Sequence, residues 1–312
     1  MDENPSSSRD DIAKAVDALR AGGLVILPTE TVYGLAADAG NPHAVARVYE
    51  AKARPAFNPL IAHVADLAAA RRIARFDSRA EWLAERFWPG PLTLVLPVLD
   101  EGAVCDLARA GLDTVAVRAP AHPIAQAVLQ AFGGPLVAPS ANRSGRPSPT
   151  TLADALEETG SAAAVALDGG PCAIGLESTV IALLDAPRLL RPGAVTREAI
   201  EAVAGSLAEA DADARRSPGR LARHYAPNLP LRLNAEEPRS DEVWISFGPR
   251  GGAGLNLSPE GDLTEAAANL FSYLRAADRA EGAKGIAVAP VPGAGIGEAI
   301  NDRLRRAAGF VG

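Results

Sequence analysis

Several features that would settle a protein's class at once are missing from this sequence. Its 312 residues include 2 cysteines, Cys105 and Cys172, with no CxxC spacing. Such a pair builds neither a disulfide framework nor a zinc site. The 4 histidines, His43, His63, His122 and His224, are scattered and form no HxxxH. Aromatic residues make up only 4%, so the core must come from Ala, Val, Leu and Ile. No apolar run reaches the ~18 residues of a membrane span. The opening MDENPSSSRDD is polar and acidic, the opposite of a secretory signal. A soluble, cytoplasmic protein is expected. There is no Walker-type GxxxxGK loop. Net positive charge is also lacking: the formal charge is −7. A protein whose main task is to coat nucleic acid needs a net basic face, so the charge argues against that class without excluding a local basic pocket.

What is present is ordinary for a globular protein, with 48% hydrophobic and 22% charged residues. The length suits one large domain or two ordinary ones and buries a core without staples. Of the 31 basic residues only Lys14, Lys52 and Lys284 are lysines. With Ala and Gly so abundant, the arginine excess reads as genome bias. A lysine inside a motif is therefore the more informative cation.

Periodicity gives alternating elements. Ile12, Ala15, Val16 and Leu19 predict a helix over 10–21, closed by Gly22-Gly23. LVILP follows as a strand. Helices are predicted over 42–53, 65–75, 79–88, 122–132, 150–159 and 196–204. Strands are predicted at 60–64, LTLVLPV, TVAVRAP, PLVAPSAN, 163–168, 178–184 and 188–191. Such alternation predicts an α/β fold with a mixed sheet over 10–205. Residues 206–230 are polar and Pro-containing, a linker by composition. Strands at 231–234, 243–248 and 285–291, with helices over 263–281 and 297–308, predict a small second α/β domain over 231–312. No solenoid repeat is visible.

Polar clusters recur at strand exits, where open α/β sheets place ligands. PTETVYGLAAD (28–38) crowds Thr29, Glu30, Thr31 and Tyr33 together; a capped loop would look the same. KARPAFNPL (52–60) sets Lys52 and Arg54 two apart. On an extended or turning chain they point the same way and suit a polyphosphate. The plainer reading is a solvated basic turn. On TVAVRAP, Thr114, Ala116 and Arg118 share one face. A buried Arg118 requires an anionic partner, either a structural carboxylate or a ligand. PSANRSGRPSP carries Ser140, Asn142, Arg143 and Ser144 just after a buried strand, an anion-cradle composition. GLESTV (175–180) places Ser178 and Thr179 at a strand start, and RPGAVT places Arg191 at a strand end. Gly293, Gly295 and Gly297 approach a dinucleotide fingerprint, but the third glycine comes one place early, so a tight strand-to-helix turn fits better. With no metal cluster and no nucleophile–base pair, the pattern describes an anionic small-molecule site that works by charge stabilisation.

These motifs, with FWPGPLT, VRAPAHP, SPGRLARHYAP (217–227) and GAGIGEAINDRLRRA, resemble the YrdC/Sua5 family of threonylcarbamoyl-AMP synthases in its longer, two-domain Sua5 form. The resemblance runs over nearly the whole chain; the KxR pair (Lys52, Arg54) and the SxN pair (Ser140, Asn142) are both present. It implies a twisted mixed sheet of the YrdC type enclosing an electropositive cavity, plus a small Rossmann-like C-terminal domain. It implies a nucleotidyltransferase that makes threonylcarbamoyl-AMP and pyrophosphate from L-threonine, bicarbonate or CO2, and ATP, for the tRNA threonylcarbamoyl-transferase machinery. By the same resemblance, threonine meets Thr31, His63, Arg118, Ala138 and Ser178. ATP meets Arg54, Asn58, Thr114, Ser140, Ser148 and Arg191, with Lys52 and Asn142 at the phosphates. The segment carrying His224 and Tyr225 folds over the nucleotide. Lys52 and Arg54 are the candidate catalytic cations. Mg2+ would ride mainly on the phosphates, since no carboxylate cluster is seen, and no stable nucleic-acid complex or membrane is required. Two other classes compete. An RNA-binding protein is disfavoured by the −7 charge and the lack of interleaved aromatics. A carbamoyltransferase containing a related domain would carry acylphosphatase-like or zinc-finger modules, which are not visible.

Overall fold

The computed structural model describes residues 7–208, 224–249 and 254–310. The chain opens with α1 (Arg9–Arg20), whose N-cap Ser8 and Asp11 form a capping box. Nine strands then build one mixed sheet: β1 (Val25–Leu27), β2 (Gly34–Asp38), β3 (Ile61–His63), β4 (Leu92–Pro97), β5 (Thr114–Arg118), β6 (Leu136–Val137), β7 (Val165–Ala166), β8 (Thr179–Leu183) and β9 (Pro187–Arg191). Their order is β7-β1-β2-β6-β3-β5-β4-β8-β9. The helices between them are α2 (Pro42–Lys52), α3 (Leu67–Ala70), α4 (Ser78–Phe87), α5 (Asp106–Arg109), α6 (Pro123–Phe132), α7 (Leu152–Thr159) and α8 (Arg197–Ala204). The core is aliphatic, as the scarcity of aromatics requires: Leu24, Leu35, Val48, Leu60, Leu94 and Val117 are among its fully buried members.

A second sheet of four parallel strands follows: β10 (Leu231–Arg232), β11 (Glu242–Ser246), β12 (Leu255–Asn256) and β13 (Gly285–Val288), in the order β10-β13-β11-β12. Two helices, α9 (Leu263–Asp278) and α10 (Ile296–Ala307), pack on it. The fold is thus α/β in both parts, the larger sheet mixed and the smaller all-parallel. No helix among the described residues is long and apolar enough to cross a membrane.

Besides the short α5 and β12, which the pattern does not announce, three elements differ from the sequence pattern. Residues 65–75 form only the short α3, because 73–75 are drawn to the end of β4: Leu99 N donates to Ile73 O at 2.9 Å and Arg75 N to Pro97 O at 2.9 Å. Sheet pairing overrides helical spacing there. PLVAPSAN gives only the two-residue β6, since Pro139 has no N–H to continue a ladder. Conversely, β2 was not expected at all. Its GLAAD sequence has no β-branched residue, yet it is buried between β1 and β6.

The glycine run at 293–297 is a tight turn into α10. A Cβ on Gly297 would lie 1.9 Å from the Pro292 carbonyl oxygen, so only glycine fits. Of the 206–230 segment, residues 209–223 lie outside the described residues, and with them most of SPGRLARHYAP. Its described end is no spacer. His224, Tyr225 and Ala226 are buried, and Asn228 and Leu229 bond the Asp278 carboxylate at 2.9 Å each.

Candidate functional site

A cavity with an atom-free volume of about 510 Å3 opens where the strand ends of the larger sheet meet residues 224–225. It is lined by ten of the residues singled out from sequence: Thr31, Arg54, His63, Arg118, Ala138, Ser140, Ser178, Arg191, His224 and Tyr225. The lining holds three arginines, Arg54, Arg118 and Arg191, and one carboxylate, Glu177, so it is electropositive.

One end is built inside the larger sheet. In the parallel pair β3–β5, His63 stands level with Arg118. Arg118 is buried and donates to the Gly90 carbonyl at 3.1 Å, the Thr31 hydroxyl at 2.9 Å and Glu30 Oε1 at 2.6 Å. The anionic partner that burial demanded is therefore a structural carboxylate, Glu30. Burial works to raise the Glu30 pKa, but the Arg118 cation and its hydrogen bond outweigh this and hold it below the usual value. Thr31 is presented by a self-braced loop: Thr29 Oγ1 accepts the Val32 N–H at 3.2 Å and lies 2.8 Å from Thr31 Oγ1. Burial, and next the Arg118 charge, push His63 down to about 3, so its imidazole is neutral near pH 7.

The other end carries two more arginines. Arg54 donates to the Asn58 carbonyl at 3.3 Å and the Pro59 carbonyl at 3.1 Å. Burial lowers its pKa to about 10, and it remains a cation at neutral pH. Arg191 bonds Ser178 twice, through Nε to the carbonyl at 3.0 Å and through Nη2 to Oγ at 3.1 Å. Ser178 Oγ also lies 2.8 Å from the Thr93 hydroxyl.

The expected side-by-side pair of Lys52 and Arg54 does not form. Lys52 is the last residue of α2, and Ala53 takes a left-handed conformation with φ 47°, which swings Arg54 away. Lys52 is buried, and its ammonium donates to the Ser140 and Asn142 carbonyls rather than lining the cavity. It is thus neither a solvated turn residue nor one of two parallel cations. Asn58, Thr114, Asn142 and Ser148 are also buried without lining the cavity. Asn142 Nδ2 bridges the Arg143 and Arg146 carbonyls at 2.8 and 2.9 Å and so folds its own loop. Ser148 donates to Glu177 Oε1.

Two charged residues at the site escaped sequence reasoning. Glu177 sits in GLESTV beside the serine and threonine that drew notice; a carboxylate between a turn glycine and two hydroxyls was the available signal. Glu30 stood in the polar cluster but was given no role. Gly175 opens that same turn with φ 72°, and a Cβ there would meet the Ala268 Cα at 2.5 Å. This close approach docks the turn against α9.

His224 and Tyr225 close the cavity from the second unit's side. Tyr225 adopts φ 64°, a strained conformation for a bulky residue, and its ring packs 5.4 Å from Phe271. The His224 ring stands edge-on to it at 4.0 Å, with Nδ1 buried and unpartnered. Burial lowers the His224 pKa to about 3, so this imidazole too is neutral.

A family profile described as Telomere recombination (Sua5, YciO, YrdC) matches residues 17–193, and one described as Threonylcarbamoyl-AMP synthase, C-terminal domain, matches 195–309. The chain is 40% identical to a threonylcarbamoyl-AMP synthase of Bacillus subtilis, over 97% of this chain and 94% of that one. It is 42% identical to a threonylcarbamoyl-AMP synthase of Pyrococcus abyssi, over 95% and 93%. The solved structure of P. abyssi Sua5 complexed with L-threonine superposes with a TM-score of 0.87 at 40% identity, covering 96% of this chain and 94% of that one.

Proposed function

The chain belongs to the Sua5/YrdC family of threonylcarbamoyl-AMP synthases, and we propose that its cavity is where L-threonine, bicarbonate or CO2, and ATP are joined. The amine of threonine adds to CO2 and loses a proton, giving a carbamate. A carbamate oxygen attacks the α-phosphorus of ATP, the bond to the β-phosphate bridging oxygen breaks, and pyrophosphate leaves. No protein nucleophile is needed. The tasks are to hold three small polar reactants together and to neutralise charge on the phosphates.

The observation that carries this reading is one electropositive cavity with two chemically distinct ends. At the first, Thr31 and Arg118, with the neutral His63 and the small Ala138, suit a hydroxy-amino acid, and Ser178, bonded to Arg191, stands where the two ends meet. Arg118 supplies the charge for a carboxylate, while Glu30 and the Gly90 carbonyl fix its guanidinium. At the second, Arg54 and Arg191 face a polyphosphate beside Ser140. Lys52 acts one step back by holding the Ser140 and Asn142 carbonyls, and Asn58, Thr114 and Ser148 support the same wall. His224 and Tyr225 close the site and exclude water from the adenylate.

A protein-held magnesium does not fit these residues. Among the described residues no group of three His, Cys, Asp or Glu could hold a metal. Glu177, the lining carboxylate, spends its oxygens on Ser148 and Arg303. Magnesium would be carried by the phosphates. We place the divide between the two units after Gly205, because Ile200 of α8 is buried in the core of the larger sheet. The product, a mixed anhydride, is consumed by a tRNA threonylcarbamoyl-transferase.

Pyrophosphate release that requires threonine, bicarbonate and ATP together tests the reading. Release that proceeds equally without threonine or bicarbonate would refute it.

A further inference from the structure

The largest fully buried side chain among the described residues is Arg303. It lies on the inward face of α10, in line with Ile300, Leu304 and Ala307, and is completely buried. An apolar residue would fill that position without the cost of desolvating a charge. Its contacts explain why an arginine stands there. Nε donates to Glu177 Oε2 at 2.9 Å, and Nη1 donates to the Pro192 carbonyl at 3.0 Å and to Asp302 Oδ2 at 2.8 Å. The guanidinium lies over the Tyr225 ring, 5.3 Å from its centre. Each contact beyond its own helix is made to the cavity or beside it. Glu177 and Tyr225 line it, and Pro192 follows the lining Arg191. Through Glu177 the chain of bonds continues to the buried Ser148 hydroxyl.

We propose that Arg303 is a positioning residue for the nucleotide end of the site: from the second unit it fixes Glu177, Tyr225 and, through Glu177, Ser148 in the places that bound ATP requires. This gives the C-terminal unit a part in the reaction although none of its sheet touches the cavity. An arginine suits the task and a lysine does not. The planar fork reaches the carboxylate and the carbonyl at once while its face covers an aromatic ring, whereas an ammonium is a single point charge. The inference rests on the assignment of this end of the cavity to ATP.

The test measures ATP and threonine binding by calorimetry in the full-length chain, separately from pyrophosphate release. Failure of the unmodified chain to release pyrophosphate with all three substrates would sink the proposed function. The Arg303 inference is read from binding alone. Arg303→Met should weaken ATP binding by roughly tenfold or more, the scale of a lost charged hydrogen bond, and change threonine binding less than about threefold. Arg303→Lys should recover only part of the loss. Arg303→Met combined with Glu177→Gln removes the uncompensated carboxylate, so it should restore the melting temperature while ATP binding stays weak. That split separates positioning from mere support of the fold. Should Arg303→Met alone fail to fold, the double variant and Arg303→Lys still decide the matter. The inference is overturned if ATP binding is unchanged in a folded Arg303→Met chain, if Arg303→Lys binds ATP normally, or if the double variant regains ATP binding together with stability.

Discussion

The two ends of the cavity are made in different ways. The end proposed for threonine is a product of one sheet: His63 and Arg118 are neighbours in the β3–β5 register, and Thr31 and Glu30 come from the loop after β1. The end proposed for ATP is assembled from two units. Arg54 and Arg191 come from the larger sheet, but Tyr225 is buried in the apolar core of the smaller one, and Glu177 and the Pro147 carbonyl are held by Arg303 and Arg275 of its helices. Glu158, which Arg275 reaches at 3.0 Å, also takes the Arg143 N–H groups at 3.1 and 3.2 Å, so the loop carrying Ser148 is gripped from both sides. A site made within one sheet is as rigid as that sheet. A site made across a junction depends on docking, and weakening the docking should harm one substrate more than the other.

Arg118→Ala should give the largest effect. It removes the charge for the carboxylate and leaves Glu30 buried without its cation, a loss of about 3 kcal/mol or more. Threonine use, measured as kcat/KM, should fall by at least ~10²-fold, with ATP binding nearly unchanged. A variant that loses ATP affinity instead would show that the two ends have been assigned the wrong way round.

Lys52→Met should come next. It leaves the buried Ser140 and Asn142 carbonyls without their donor, at about 1–3 kcal/mol each. Turnover and thermal stability should drop together, since Lys52 acts through the loop. Unchanged stability with lost turnover would return Lys52 to a direct role at the phosphates.

Gly175→Ala attacks the junction itself. The added Cβ meets the α9 backbone at 2.5 Å and the residue must hold φ 72°. Undocking by about 2 kcal/mol is expected. The Michaelis constant for ATP should rise severalfold while that for threonine moves little. Equal changes in both would erase the distinction between the two ends.

The effect that separates the two ends least is in pH. His63 and His224, one at each end, are held neutral with pKa values of about 3, mainly by burial. The unfolded chain, with ordinary histidines near 6.5, therefore binds more protons below that value, so stability falls as pH falls from about 6.5. Each histidine should cost on the order of 2 kcal/mol between pH 6.5 and 5. His122, also lowered by burial, acts in the same direction. The lowered carboxylates Glu30, Glu158 and Glu177 add their loss only below about 4.5, so the upper window belongs to histidine. Urea melts at pH 7 and 5 should show the drop, and His224→Asn should reduce it. A flat profile would mean that these imidazoles are hydrated.

Composition and local pattern were enough to determine which motifs matter. Apolar runs ended by Pro and Gly mark strand exits, and polar clusters at strand exits mark ligand positions, so Thr31, Arg54, Arg118, Ser140, Ser178 and Arg191 were legible before any contact was known, while His63, Ala138, His224 and Tyr225 were named by the family resemblance alone. Only tertiary structure decided what those residues do to one another. That Arg54 parts from Lys52 followed from a single left-handed residue, Ala53, which no spacing rule announces. That Arg118 is held by Glu30, and Glu177 by Arg303, depends on partners 88 and 126 positions away in the chain. The strand β2 was hidden because small residues carry no intrinsic strand signal and are made into one by burial between neighbours. Local sequence encodes backbone preference and side-chain chemistry over a few residues. Which buried charge meets which partner is set by packing that brings distant segments together, because desolvation leaves no charge there without one.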